Sequence, residues 1–152
     1  MQQKLTKELD EIDKKIVNFL LINADITNRE LASKCSIALG TVNNRLKKLR
    51  ELGIIKKKTI RVDYEKLGYM IEVIIDLKIN KGEFHNVAKD FSENPNVFMV
   101  IDMTGDYDAE ILARFHTRRQ LDAFVKKVQQ NPAVENTRTR LILNIYRDRE
   151  IK

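Results

Sequence analysis

The chain has 152 residues, 43% hydrophobic and 33% charged, with 28 Lys and Arg against 22 Asp and Glu for a formal net charge of +6. That length suits one large domain or two small ones, and no apolar run approaches the roughly 18 residues of a membrane helix, nor is there a signal-peptide pattern, so neither membrane nor export is expected. Cys35 is the sole cysteine and His85 and His116 the only histidines, with no C-x-x-C or H-x-x-x-H spacing, which excludes an internal disulfide, fits a reducing cytoplasm and argues against zinc.

Asp10 can cap a first helix running to about Asn23, with Asp13 in its positive first turn and Ile12, Ile16, Phe19 and Leu20 as one apolar stripe. Thr27-Asn28-Arg29-Glu30 is a capping-box signature for a short second helix ending near Cys35. After a break at Ser36-Ile37, a third helix over roughly 39–52 turns Val42, Leu46 and Leu49 inward, and Gly53 stands where a left-handed residue ends it. Ile54–Val62 reads as an extended, β-branched segment. Two helices joined by a tight turn behind a supporting helix make a helix-turn-helix.

Residues 26–62 carry ten Lys and Arg and only two acids, Glu30 and Glu51, a local excess of +8. From Glu65 onward 14 basic residues face 14 acidic ones, so the whole positive excess lies in the first 64 residues. A polyanion is the natural partner for charge concentrated in this way, although a solvated helix face would look alike in composition. The inward stripe points Gly40, Thr41, Asn44, Lys47 and Lys48 outward, with Asn43 at the margin. Base contacts are expected from Thr41, Asn43, Asn44 and Lys48, and phosphate contacts from Arg29, Arg45, Lys47 and Arg50. Lys56, Lys57 and Lys58 are expected to act as a basic wing, with a hinge over about 59–68.

In the second half, Ile71, Val73, Ile75, Leu77 and Ile79 alternate with Glu72, Ile74, Asp76 and Lys78, as in a strand. Phe84, Val87, Ala88 and Phe91 mark a helix, followed by strands Val97–Met103 and Tyr107–Phe115 around a Gly105 turn. Leu121, Phe124, Val125 and Val128 mark a second helix before a last strand over about Arg138–Tyr146. Asn94-Pro95 and Asn131-Pro132 hold the only two prolines and punctuate both helices at a 37-residue period. The pattern is β-α-β-β-α-β, a ferredoxin-like unit, giving an α+β chain. The sheet face away from the helices would carry Ile74, Phe98 or Val100, Leu112, Ile142 and Tyr146, enough apolar surface to predict a two-fold dimer.

Leu9-Asp10-Glu11-Ile12-Asp13, Arg29-Glu30-Leu31-Ala32, Thr41-Val42-Asn43-Asn44-Arg45-Leu46 with Gly53-Ile54-Ile55, Lys66-Leu67-Gly68-Tyr69 and Thr104-Gly105-Asp106-Tyr107-Asp108 stand in sequence. In order and spacing, with Val134, Thr137 and Thr139 leading into the last strand, they resemble the leucine-responsive regulator/asparagine regulator (Lrp/AsnC) family over essentially the whole chain. The resemblance implies a winged-type helix-turn-helix domain at 1–62 and an effector-binding and oligomerisation domain at 69–152. It implies a transcription regulator on double-stranded DNA, a homodimer assembling further, for instance to octamers, and a response to an amino acid. Gly105, Asp106, Tyr107, Asp108, Thr137 and Thr139 are the implied effector residues, with Asp108 facing an α-ammonium group and the threonines a ligand carboxylate or amide. Four acids among residues 102–110 tilt the effector toward a basic or neutral polar amino acid. Where the family commonly has serine, Ala38 stands at the start of the recognition helix, so Ser36 or Thr41 is expected to take over the cap. An effector-independent or architectural DNA binder is the alternative. An enzyme on the ferredoxin-like half would leave the basic half unexplained, and the sequence offers no catalytic set, metal ligands or cofactor loop.

Overall fold

A computed structural model describes residues 9–146; residues 1–8 and 147–152, the outer ends of the two expected domains, lie outside the described residues. The chain divides into two compact units between Arg61 and Val62.

In the first unit, helix α1 spans Glu11–Ile22, α2 Asn28–Cys35 and α3 Leu39–Glu51. Both α1 and α2 start with reciprocal capping boxes, Asp10 with Asp13 and Thr27 with Glu30. These satisfy amide groups that no helical carbonyl can reach. Helix α3 has no side-chain cap at Ala38, so neither Ser36 nor Thr41 takes over that role. Ser36 serves the turn instead: it ends α2 in the left-handed region at φ 53° and ψ 45°, a conformation that costs a residue with a Cβ about 1 kcal/mol. Ile16, Leu31, Val42, Leu46 and Leu49 form the buried core of this unit, with Ile54 and Ile55 packed against it. Residues 56–62 are exposed and form neither helix nor strand. The expected extended segment is therefore not a strand; no described segment of this unit forms one, and a strand needs a neighbour for its backbone groups.

The second unit runs β1 Ile71–Ile79, α4 Phe84–Ser92, β2 Val97–Asp102, β3 Ala109–Phe115, α5 Arg118–Gln129 and β4 Val134–Leu141. Its sheet order, β2-β3-β1-β4 with antiparallel pairing, is the expected ferredoxin-like arrangement. Val73, Ile75, Leu77, Ile111, Ala113 and Phe115 point from the two central strands into a core closed by Val87 and Phe91 of α4 and Phe124 and Val128 of α5. The repeated Asn-Pro punctuation has a repeated cause. Asn94 accepts from Asn96 N–H and Asn131 from Ala133 N–H, each at 2.9 Å, so both helices leave through the same asparagine turn.

The strands differ from the sequence reading in several places: β2 ends at Asp102 rather than Met103 and β3 begins at Ala109 rather than Tyr107. The last strand is Val134–Leu141, not 138–146, because β1 fixes its length: Val73 opposes Leu141, and Ile142 N–H makes a last bond to Glu72 O. Thr137 and Thr139 thus lie inside β4, opposite Leu77 and Ile75, rather than leading into it. In β2 the register against β3 shifts between Val97 and Met99, which sets Val100 opposite Ile111 on the core side and leaves Phe98 and Met99 exposed. The turn before β1 also belongs to this unit. Tyr69 stacks on His116 at 3.9 Å, and His116 Nδ1 lies 2.8 Å from Gly68 O. Gly68 has φ +88°, and a Cβ there would come within 3.3 Å of that nitrogen.

Ser36→Gly should stabilise the helical unit by about 0.5–1 kcal/mol by removing the Cβ from a left-handed position. Chemical denaturation followed by helical circular dichroism reads this; an unchanged or lower midpoint would show that Ser36 is unstrained.

Candidate DNA interface and effector site

Helix α3 is amphipathic in the expected sense. Val42, Leu46 and Leu49 are buried, while Asn43, Asn44, Lys47 and Arg50 are exposed and Thr41 is half-buried. Asn28 Nδ2 donates to Asn43 Oδ1 at 2.8 Å, joining the first turn of α2, which also carries the exposed Arg29, to the first half of α3. Lys47 extends into solvent, 3.9 Å from Glu51. The other expected DNA residues have different partners. Arg45 Nη1 donates to Asp13 Oδ1 and Asp10 Oδ2, both at 2.7 Å, and Lys48 Nζ donates to Asp13 Oδ2 at 3.1 Å. Lys58 pairs with Asp25 at 2.7 Å, whereas Lys56 and Lys57 are exposed.

Asp13 has no solvent exposure. Burial pushes its carboxyl up, but hydrogen bonds from Arg45 and Lys48 outweigh this and hold it below the ordinary aspartate value. The same contacts push the Arg45 guanidinium up, Asp13 acting more strongly than Asp10. Asp10 is held low first by the Asp13 N–H and then by Arg45. The sequence showed these charges but not their pairing, which joins positions 32 and 35 residues apart.

In the second unit, Gly105 has φ +129° with open space around it, and Asp106 is exposed. Asp108 is held by its own unit: Oδ2 accepts from Ile79 N–H at 2.8 Å and Oδ1 from Lys78 at 3.3 Å. The Ile79 amide, ahead of Lys78, holds its carboxyl below the ordinary range. Leu77 of β1 lies between these predicted residues, accepting from Asp108 N–H and opposing Thr137. Thr137 Oγ1 is 3.5 Å from Gln129, and Thr139 is exposed two residues further along β4. Tyr107 lies under the Arg138 guanidinium at 5.0 Å. An open cleft of about 490 Å³ between α4 and β2, lined by Phe84, His85, Lys89 and Asp102 among others, contains none of the predicted effector residues.

The face of the sheet away from the helices is less apolar than expected. Asp76, only 1% exposed, is bound by Arg138 at 2.8 Å and by Arg140, which also reaches Glu110 at 2.6 Å. Arg114 pairs with Glu72 at 2.8 Å and lies between the rings of Phe98 and Tyr64, at 3.7 and 4.1 Å. These ion pairs run beside the half-buried Ile74, Leu112 and Ile142. Sequence reasoning missed the network; pairing Arg138-Thr139-Arg140 with Ile74-Ile75-Asp76 in antiparallel register would have revealed it.

Residues 9–56 match the winged helix-turn-helix DNA-binding family, and residues 72–151 match the Lrp/AsnC ligand-binding domain. The chain belongs to the Lrp/AsnC family of transcription regulators. An HTH-type transcriptional regulator of Pyrococcus furiosus is 36% identical over 141 residues, covering 93% of this chain and 95% of the relative. The HTH-type transcriptional regulator FL11 of Pyrococcus horikoshii is 35% identical, covering 92% and 93%. In fold, the chain is similar to Escherichia coli AsnC with a TM-score of 0.85 at 23% identity, over 94% of this chain and 97% of that one. A Neisseria meningitidis regulator solved as an L-Met complex gives 0.81 at 23%, over 93% and 94%. This Lrp/AsnC chain is a DNA-binding transcription regulator with a C-terminal ligand-binding domain.

Burial raises the Asp76 carboxyl, but Arg140 and Arg138 together hold it below its ordinary value of 3.8. A lowered folded pKa means that its stabilising contribution is full above that value and is lost as pH falls through the folded pKa. The stability difference between wild type and Asp76→Asn should therefore be largest near neutral pH and close in strong acid. All four tyrosines lie beyond residue 62, so tyrosine fluorescence during urea unfolding isolates this unit. A pH-independent difference would reject the linkage.

Proposed function

We propose that this regulator reads base edges with Thr41, Asn43 and Asn44, and grips phosphates with Arg29, Lys47 and Arg50, flanked by Lys56 and Lys57. The observation that carries the reading is the exposed face of α3, where two asparagines precede Lys47 and the Asn28 bond fixes Asn43 in place. Asparagine presents a donor and an acceptor together, as adenine recognition in the major groove requires. Arg45 and Lys48 are left out because both hold Asp13. Asn44→Ala should cost about 1–3 kcal/mol on a site selected from random DNA and relax preference at one position. Lys47→Ala should weaken binding to all sequences alike and reduce the salt slope by about one. Equal, uniform losses in both variants would overturn this division of roles.

The proposed assembly is a two-fold homodimer through the sheet face of Ile74, Leu112 and Ile142, building to higher oligomers, with the DNA site an imperfect palindrome. Exposed Phe98 and Met99 extend the apolar part of that face. Light scattering of the full chain should give a dimer or a multiple of it; a monomer at micromolar concentration would reject it.

The proposed effector is an amino acid at the turn of Gly105, Asp106 and Tyr107 with Thr137 and Thr139 nearby on β4. Support comes from the matched ligand-binding domain and from the Neisseria relative's L-Met complex. Asp108 frames this site from within rather than facing the ligand, since Ile79 and Lys78 already hold its carboxylate. Asp106 is the exposed carboxylate available to an α-ammonium group. Calorimetry with lysine, arginine, glutamine, leucine, methionine and glutamate should find binding by at least one, weakened at least about tenfold by Asp106→Ala. Absence of binding by all six would favour the effector-independent regulator.

A further inference from the structure

Helix α3 carries four cations, Arg45, Lys47, Lys48 and Arg50, and composition treats them alike. The structure separates them. Lys47 has a 76% exposed side chain, whereas Arg45 is 22% exposed and shares the fully buried carboxylate of Asp13 with Lys48. Positions 45 and 48 are one helical turn apart, so both face α1. The Asp13 carboxylate is itself tied to the start of α1: its Oδ2 accepts from Asp10 N–H at 3.4 Å, while Asp13 N–H donates to Asp10 Oδ1 at 2.9 Å, the two halves of the capping box. Its two oxygens are divided, Oδ1 to Arg45 and Oδ2 to Lys48. A carboxylate withdrawn from water to this degree is costly without such partners.

We infer that Asp13 is a specificity-determining positioning residue: it fixes the rotation of α3 and holds Arg45 and Lys48 away from the DNA backbone, keeping non-specific binding weak. This rests on the reading that α3 faces the DNA. Each phosphate neutralised adds affinity on any sequence and steepens the salt dependence by about 0.9. A non-specific complex can settle wherever freed cations meet phosphates. A specific complex is held in register by its base contacts and cannot shift to use them. Loosening the hold on these cations therefore favours non-specific binding more than specific binding.

The test uses the full chain with a random-sequence duplex and with a site that the wild type selects from random DNA, titrated by fluorescence anisotropy over a range of KCl. Because Asp10 still holds Arg45 at 2.7 Å, Asp13→Asn should tighten random-duplex binding at low salt severalfold, steepen the slope by up to about one, and lower the ratio of specific to non-specific affinity. In the wild-type background, Arg45→Gln and Lys48→Gln should each leave the random-duplex slope unchanged, while Lys47→Gln lowers it by about one. A loss of stability alone would move neither the slope nor the ratio of the folded protein. The inference is overturned if Arg45→Gln or Lys48→Gln lowers the slope as Lys47→Gln does, or if folded Asp13→Asn keeps the wild-type slope and ratio. Should Asp13→Asn not fold by circular dichroism, the two glutamine variants decide alone. If Lys47→Gln and Asn44→Ala also leave binding unchanged, α3 does not face the DNA and both readings fall.

Discussion

Asp13 stays ionised without any exposure to water because Arg45 and Lys48 donate to its two oxygens, and the helical unit is arranged around that requirement. Relative to apolar side chains of similar size, such a triad adds little net stability. Its effect is to penalise every arrangement of α1 and α3 in which one partner is missing. The capping box adds a second restraint, since the carboxylate that receives the cations sits in the first turn of α1. Asp76 repeats the same physics in the second unit, where Arg138 and Arg140 of the edge strand β4 cover a carboxylate of the central strand β1. Among the described residues these two are the buried charged groups, and each joins elements distant in sequence.

The fold was legible wherever the signal was local. Alternation over Ile71–Ile79, the capping signatures at Thr27 and Asp10, and the paired Asn-Pro turns depend on neighbours within a few residues, and each appears in the structure as a strand, a capped helix start or an asparagine turn. The boundaries of β4 and the inner face of β2 were not legible, for one shared reason. How long β4 lasts depends on where β1 begins, and which side Val100 takes depends on a register shift against β3. Both are properties of a strand pair, absent from either strand alone. Ser36 is the opposite case: a local pattern suggested a capping hydroxyl, while the tight turn between α2 and α3 uses its backbone in the left-handed region.

For the DNA face, the helical wheel separated inward from outward positions of α3, because burial follows the 3.6-residue period. It could not tell an exposed cation from one already partnered. Arg45 lies at the edge of the buried stripe, and its partners come from another helix. Of the cations behind the local excess of +8, Arg45 and Lys48 share a buried carboxylate, whereas Lys58 pairs with Asp25 only at the exposed surface. Charge counting identified the correct unit for the family's DNA-binding domain, but which of its cations already have carboxylate partners needed coordinates.

The acidic stretch from Asp102 to Glu110 shows the same distinction between exposed and partnered charges. Four carboxylates so close together suggested a field favouring a basic or neutral polar ligand over an acidic one. In the structure Glu110 pairs with Arg140, and Asp108 accepts from Lys78 and from the Ile79 amide where the register of β1 against β4 shifts. Asp108 supplies a hydrogen-bond acceptor at that irregularity, so its charge has a structural task. The exposed acids are Asp102, which lines the cleft beside His85 and Lys89, and Asp106 in the turn. Only Asp106 belongs to the family turn motif. In the proposed site that one carboxylate would meet the α-ammonium group of any amino acid and leave no second charge in the turn for a basic side chain. In the proposed site the acidic stretch thus gives less weight to a basic ligand than its composition does, and the side chains left to discriminate between amino acids are Tyr107, Thr137 and Thr139.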